Sequence, residues 1–350
     1  MSSGRAGEPG PESDRRATIK EVAEAAGVSR STASRALTGH GYAAPQVRDR
    51  VRAIARELGY VPDATARHLR RQASQSLGVL VSDLSNPFYA GLAAGISQQA
   101  RRREYTMMLA DDGGSPDVEA EVAEAFVALR VAGVIVTPVS AQVSEYLTRH
   151  RIPVVEVDRQ FSAGACDAVL VDNASAARTL TGQLLQLGHR RIALVTDERH
   201  WTTGRDRLAG YRDAFAVAGV PVDDSLVVTA GWDVDAARVE VARLLDRPEP
   251  PTAVFAANNV LAEAVWRAAD ERGFTIPDRL SLVTFDDVSW MSMVRPGVTA
   301  VSQDAVALGE ASVSQLCERI QSPTAPVRTV LLSATIVPRT STAPPPSTSR

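Results

Sequence analysis

The sequence predicts two unlike parts. The first is an N-terminal all-α helix-turn-helix part, and the second is an α/β core of two doubly wound parallel-sheet subdomains. Three observations carry this. Between Thr18 and Leu58, apolar residues recur at helical spacing in three short blocks separated by turn residues. From Leu77 onward, short apolar runs alternate with amphipathic stretches, as in β-α-β units. Ten such runs are more than one small doubly wound sheet carries, and 350 residues suit two or three domains.

The headpiece begins at Thr18, with Glu21 three residues later, the spacing of a capping box. Ile19, Val22, Ala23 and Ala26 then share one face, and Gly27 ends the helix. Ser29 can cap a second helix over Arg30–Leu37 whose buried side is Ala33, Ala36 and Leu37. Two short helices joined by a tight turn make a helix-turn-helix, and the second helix is the one able to enter a major groove. Its outward face carries Arg30, Ser31, Ser34 and Arg35. Arginine can pair bidentately with guanine, and short serines let the backbone approach phosphates. The candidate DNA-binding set is therefore Thr18, Ser29, Arg30, Ser31, Ser34 and Arg35. A third helix is expected over Pro45–Leu58, followed by Gly59-Tyr60-Val61-Pro62 and a basic stretch from Asp63 to Arg71.

Charge agrees with this division. Arg15–Arg71 holds twelve Lys/Arg against five Asp/Glu, although the whole chain has 38 against 41. A basic block on an acidic body is the electrostatic footprint of a nucleic-acid reader joined to something else. The two cysteines, Cys166 and Cys317, have neither metal-site nor disulfide-framework spacing, so a reduced, cytoplasmic setting is expected, with no metal and no cofactor. Residues 1–16 and 341–350 read as disordered from their Gly/Pro/Ser content. No signal peptide or membrane span is legible.

The headpiece resembles the LacI/GalR (lactose-repressor) family of transcriptional regulators. The resemblance rests on Thr18-Ile19-Lys20-Glu21-Val22-Ala23, Gly27-Val28-Ser29, Thr32-Ala33-Ser34-Arg35-Ala36-Leu37, Leu58-Gly59-Tyr60-Val61-Pro62 and Ala66-Arg67-His68-Leu69. It implies that residues 62–75 form a hinge helix that folds on operator DNA. Ala66 and Leu69 would contact the minor groove there, with Leu69 as the wedge. Two departures stand out: Asp63 replaces a usual Asn, and Ala44 replaces the capping Ser usual before the third helix.

In the core, strands are expected at Leu77–Val81, Thr106–Ala110, Val134–Thr137, Val154–Val157, Ala168–Val171, Ile192–Thr196, Val227–Thr229, Ala253–Ala256, Ser281–Phe285 and Ala300–Ser302. The resemblance implies a periplasmic-binding-protein-like core crossed three times by the chain. Those crossings are expected near Asp172, Ser302 and Thr324. The N-subdomain would then hold about 76–172 and 303–324, and the C-subdomain about 173–302 and 325–340. Ligands bind outside the carboxyl ends of parallel strands. That rule points to Asp83-Leu84-Ser85-Asn86-Pro87-Phe88-Tyr89, Asp158-Arg159, Asp172-Asn173, Trp201 to Arg207, Trp232, Asn258-Asn259 and Asp286-Asp287. The resemblance selects Phe88, Tyr89, Asp158, Trp201, Thr203, Arg207, Trp232, Asp286 and Gln303 as effector contacts. Asn259 stands where the family often has Asp, so Asn258 is the preferred contact; Asp287, Arg199 and Arg205 are expected to be solvated.

The implied function is a sequence-specific regulator, a repressor, acting as a homodimer on pseudo-palindromic operator DNA and controlled by a small molecule. Aromatic faces with carboxylates and an arginine suit a carbohydrate, and a purine or nucleoside could use the same walls. A plain solute-binding protein would share the core but have no use for Thr18–Arg71. An enzyme is disfavoured, because no Gly-rich phosphate loop, nucleophile elbow or oriented His base is legible.

Overall fold

The computed structural model describes residues 17–38, 41–60 and 74–346. The expectations for residues 1–16, for the hinge residues Ala66 and Leu69, and for 347–350 lie outside the described residues. The chain divides into two compact units after Ala73.

In the first unit, α1 (Ile19–Ala25), α2 (Arg30–Thr38) and α3 (Pro45–Glu57) enclose a small core. Val22, Ala23, Ala26, Ala33, Ala36, Val51 and Ala55 are buried there, with Ile19, Val28, Leu37 and Ile54 packed around them. The alanines let the helices approach closely. Thr18 and Glu21 form the reciprocal capping box, in which the Glu21 carboxylate accepts from the Thr18 backbone N–H at 2.6 Å. Gly27 takes φ +62°, a turn conformation glycine adopts at little cost. Ser29 Oγ accepts from the Thr32 N–H at 3.2 Å, capping α2. Ala44 precedes α3 with no side-chain cap, and Pro45 occupies the first turn instead.

The second unit holds two six-stranded sheets. In chain order its elements are β1 (Ser76–Val81), α4 (Pro87–Arg102), β2 (Thr106–Asp111), α5 (Pro116–Ala128), β3 (Gly133–Val136), α6 (Gln142–Arg149), β4 (Val154–Val157) and β5 (Asp167–Val171). Then come α7 (Asn173–Gln186), β6 (Ile192–Thr196), α8 (Thr202–Ala218), β7 (Val227–Thr229), α9 (Val234–Leu245), β8 (Ala253–Ala256), α10 (Asn259–Glu271), β9 (Ser281–Phe285), α11 (Trp290–Met293) and β10 (Thr299–Ser302). Last are α12 (Ala305–Gln321), β11 (Thr329–Leu332) and β12 (Thr335–Val337). The strand orders are β11-β5-β4-β3-β1-β2 and β12-β10-β9-β8-β6-β7. All neighbouring strands in these orders are parallel except β10 with β12.

Burial follows the period of the strands. In β1, Leu77, Val79 and Val81 face a core with α4 and α12, while Leu80 faces a second core with Ala123, Phe126, Val143 and Leu147. Both faces of the sheet are thus covered, which is why its strands read as continuous apolar runs. Between α4 and α12 the approach is very close. A Cβ at Gly95 would lie 2.2 Å from the Val306 carbonyl oxygen, and one at Gly309 2.4 Å from that of Leu92.

Two expectations are corrected. The third crossing comes after Leu332, not near Thr324: β11 pairs with β5 in the first sheet, and only β12 joins the second. β11 is an edge strand with Val330 and Leu332 half-buried and Leu331 exposed, and its short apolar run was not read as a strand. The tail is not disordered from residue 341. Ser341 is fully buried; its Oγ donates to the Leu282 carbonyl at 2.6 Å and accepts from the Thr299 N–H at 2.8 Å. His189, also buried, lies 2.8 Å from the Ala343 carbonyl through Nε2 and 2.8 Å from Thr252 Oγ1 through Nδ1. These hydrogen bonds hold the segment despite its Ser/Pro composition.

Candidate functional site

A cleft opens where the carboxyl ends of the two sheets' strands face each other. It is lined by Asp83, Asn86, Phe88, Tyr89, Asp158 and Arg159 from the first subdomain, and from the second by Asp197, Trp201, Thr203, Arg207, Trp232, Asn258, Val260, Asp286 and Gln303. All ten core residues singled out from the sequence are among them. The strand-end rule had pointed to Asp83, Asn86 and Arg159 without their being chosen as effector contacts, and it had not reached Asp197 or Val260. Asp197 directly follows β6, so the strand-end rule was signal enough to reach it.

Local structure explains the convergence. Asp158 and Asp286 terminate β4 and β9 in left-handed backbone, with φ +67° and +65°. Such conformations cost non-glycine residues about 1–3 kcal/mol and persist only where the surroundings enforce them, often at ligand sites. Helix α8 starts at Thr202, so Thr203 and Arg207 fall four apart on one helix face. Asn258 caps α10, accepting from the Leu261 N–H at 2.9 Å, and donates through Nδ2 to Asp197 at 3.2 Å.

The cleft's charges are buried and interlocked. Arg159 stacks over the Trp201 ring at 3.8 Å, donates to Tyr89 Oη and to Ser82 Oγ, and lies 3.7 Å from Asp158. Arg207 stacks over Phe285 at 4.0 Å and donates to Asn173 Oδ1 and the Ala257 carbonyl. Burial pushes the Asp158 carboxyl up to about 6, against the pull of Arg159 and Arg207. Burial likewise raises Asp197 and Asp286, each opposed chiefly by Arg207. Gln303 donates to Asp286 at 2.5 Å.

Contacts cross the cleft. Asn86 and Asn259 exchange two amide hydrogen bonds, of 3.2 and 2.8 Å. The Gln160 N–H donates to Thr202 Oγ1 at 3.0 Å. Trp232, from the second subdomain, lies so close to Gly114 of the first that a Cβ there would be 1.9 Å from its ring. Trp232 also meets Trp201 edge to face, with centroids 6.2 Å apart. About 40 Å³ remains free among these side chains, roughly room for a water or two. A ring-sized ligand therefore needs the lobes to part. Asp287 is not solvated as expected: it makes a two-pronged ion pair with Arg339, at 2.7 and 2.8 Å. Arg199 and Arg205 are exposed.

In the headpiece, Arg30, Ser31 and Arg35 are exposed on α2, and Ser34 is half-buried. Arg35 Nε donates to the Ser31 carbonyl one turn back at 3.3 Å, which lays the guanidinium along the helix. Thr18 is committed to its capping box, and the Ser29 hydroxyl lies 2.9 Å from that of Ser31.

Residues 18–63 match the family model of bacterial regulatory proteins of the lacI family, and residues 181–342 match that of a periplasmic binding protein-like domain. The chain is 30% identical to the ribose operon repressor of Escherichia coli strain K12 over 311 residues, covering 88% of this chain and 94% of that one. Its structure is similar to that of a LacI family transcriptional regulator from Enterococcus faecium with bound ribose. There the TM-score is 0.69 and the identity 29%, covering 77% of this chain and 99% of that one. It is also similar to the lac repressor bound to ONPG in its repressed state, with TM-score 0.84 and 25% identity over 94% of this chain and 100% of that one. With a groove-reading headpiece and a two-lobed cleft on one chain, the protein belongs to the LacI family, as a DNA-binding transcriptional regulator with an effector-binding core.

Proposed function

We propose that the protein is a cytoplasmic repressor whose cleft binds a sugar, and that the sugar alters its hold on a pseudo-palindromic operator. The observation that carries the sugar reading is the cleft's lining. Carboxylates, amides and two arginines provide for hydroxyls, and the Trp201 and Trp232 rings provide for the apolar face of a pyranose or furanose. The ribose operon repressor and the ribose-bound relative lend support. Arg30, Ser31, Ser34 and Arg35 are the proposed groove and phosphate contacts, with Ser29 and Thr18 at the helix starts and Ala66 and Leu69 in the hinge. Phe88, Tyr89, Asp158, Trp201, Thr203, Arg207, Trp232, Asn258, Asp286 and Gln303 are the proposed effector contacts. A homodimer is proposed because one helix-turn-helix reads too few base pairs to be specific alone.

Coupling requires that the sugar prefer one lobe arrangement, since a ligand shifts an equilibrium only by its differential affinity. Tryptophan fluorescence titration across a sugar panel and a purine panel is the test, because two of the indoles line the cleft. A response to a sugar, with a matching change in the anisotropy of a labelled operator fragment, is the expected result. A response to purines alone reverses the effector class. Binding that shows no preference among genomic fragments undoes the operator assignment.

A further inference from the structure

The hydrogen-bonding groups of the cleft are unevenly used. Its strong donors are largely engaged within the protein: Arg207 with Asn173 and the Ala257 carbonyl, Arg159 with Ser82 and Tyr89. Two of its acceptors are not. Asp197 is 5% exposed; its Oδ2 accepts from Asn258 at 3.2 Å, and its Oδ1 is buried with no hydrogen-bond partner among the described residues. Gln303 gives its amide N–H to Asp286 and keeps Oε1 buried without a partner. An acceptor closed off in this way costs free energy until a donor reaches it.

The balance of charge points the same way. Asp158, Asp197 and Asp286 face two guanidiniums. Asp286 already accepts from Gln303, and Asp158 lies beside Arg159 at 3.7 Å. Asp197 is the carboxylate with an oxygen to spare. Its place depends on Gly204: a Cβ there would be 2.9 Å from Oδ1 and 2.6 Å from the Glu198 carbonyl oxygen.

We infer that Asp197 is a specificity-determining residue of the cleft, accepting through Oδ1 from an O–H or N–H of the effector, and that the effector is a neutral or amine-bearing polyol rather than a phosphorylated or carboxylated one. This rests on the cleft being the effector site. A phosphate or carboxylate would add negative charge beside three buried carboxylates, with the guanidinium donors largely engaged within the protein. A hydroxyl or ammonium brings the donors that Oδ1 and the Gln303 carbonyl lack.

Calorimetric titration of the full-length protein tests this. The neutral and amine-bearing probes are ribose, glucose, cellobiose and glucosamine; the anionic ones are ribose 5-phosphate, glucose 6-phosphate and glucuronate. A member of the first group is expected to bind, and its anionic counterpart to bind at least about tenfold more weakly. Asp197→Asn keeps the shape and removes the charge. It is expected to weaken the responding ligand about tenfold or more, the ratio a hydrogen bond to a charged group supplies. The Tm of the ligand-free variant should stay equal or rise, because a poorly partnered buried charge is gone. An anionic sugar that binds more tightly than its parent overturns the inference, and the wild-type protein alone suffices for that comparison. An affinity for the neutral ligand within twofold of wild type in Asp197→Asn overturns it too, and a lowered Tm beside that unchanged affinity would assign Asp197 to the fold alone. If only a purine base binds, the sugar reading fails, but a weakened purine in Asp197→Asn would still uphold the role of Asp197.

Discussion

Single residues set the cleft's electrostatics. Asp112 follows β2 just outside the lining, 2% exposed; its Oδ1 accepts from the Gly114 N–H at 2.7 Å, and its Oδ2 is buried with no hydrogen-bond partner among the described residues. Burial pushes its carboxyl up to about 7, against the Gly114 hydrogen bond. The folded chain thus keeps this proton to about pH 7, whereas the unfolded chain loses it near pH 3.9. The stability this proton brings is complete below pH 4 and fades as the pH climbs to 7. Asp112→Asn should therefore raise unfolding free energy at pH 8 by on the order of 1–3 kcal/mol, with the gain shrinking toward pH 4. Urea melts at both pH values check this; a gain independent of pH would exclude ionisation as its cause. Gly114 itself holds φ +71° under the Trp232 ring. Gly114→Ala should expel that indole, red-shift tryptophan emission and weaken effector binding. An unchanged spectrum would refute the cross-cleft contact.

At the scale of elements, pattern reading found ten of the twelve strands among the described residues, the edge strands β2 and β7 included. All ten expected strands form, because both sheet faces are covered and each strand is an apolar run. β11 and β12, short and partly exposed at sheet edges, went unread, although β11 holds Val330-Leu331-Leu332. The pairing of α4 with α12 was also illegible, since glycines in a helix read only as weak helix formers. Gly95→Ala makes the competition measurable. Helix propensity favours the alanine by about 1 kcal/mol. The clash with the Val306 carbonyl should outweigh it, for a net loss of about 1–3 kcal/mol in chemical denaturation. A stabilised variant would mean that the helices separate freely.

At the scale of the molecule, closure of the cleft and reading of DNA are the two properties to connect. Asn259→Ala removes the amide pair with Asn86 while leaving the Asn86 cap on Phe88 in place. These two hydrogen bonds, at about 1 kcal/mol each, hold the lobes in the closed arrangement that has no room for a ring, so their loss predicts a gain of roughly tenfold or more in effector affinity. Calorimetry measures the gain, and small-angle scattering should show a more open ligand-free core. Unchanged affinity and scattering would leave the amide pair without a part in closure. For DNA, the basic block from Arg15 to Arg71 predicts a steep dependence on salt. Operator affinity should fall on the order of 10³-fold between 50 and 200 mM salt. A flat profile in fluorescence anisotropy would contradict phosphate-dominated binding.

The sequence alone determined the headpiece, the two-sheet core and the ten core positions that converge on the cleft. The headpiece and the core follow from local signals, namely capping pairs, helical and strand periodicity, and the rule that sites gather at strand ends; the choice of the ten positions rested on the family resemblance as well. Only the tertiary structure decided that Asn86 meets Asn259 across the cleft, that Trp232 covers Gly114, and that the segment at Ser341 is fixed by hydrogen bonds. It alone left one oxygen of Asp197 buried and unpartnered. Each of these depends on groups far apart in the chain. Their meeting is set by how the lobes pack, which no local pattern encodes.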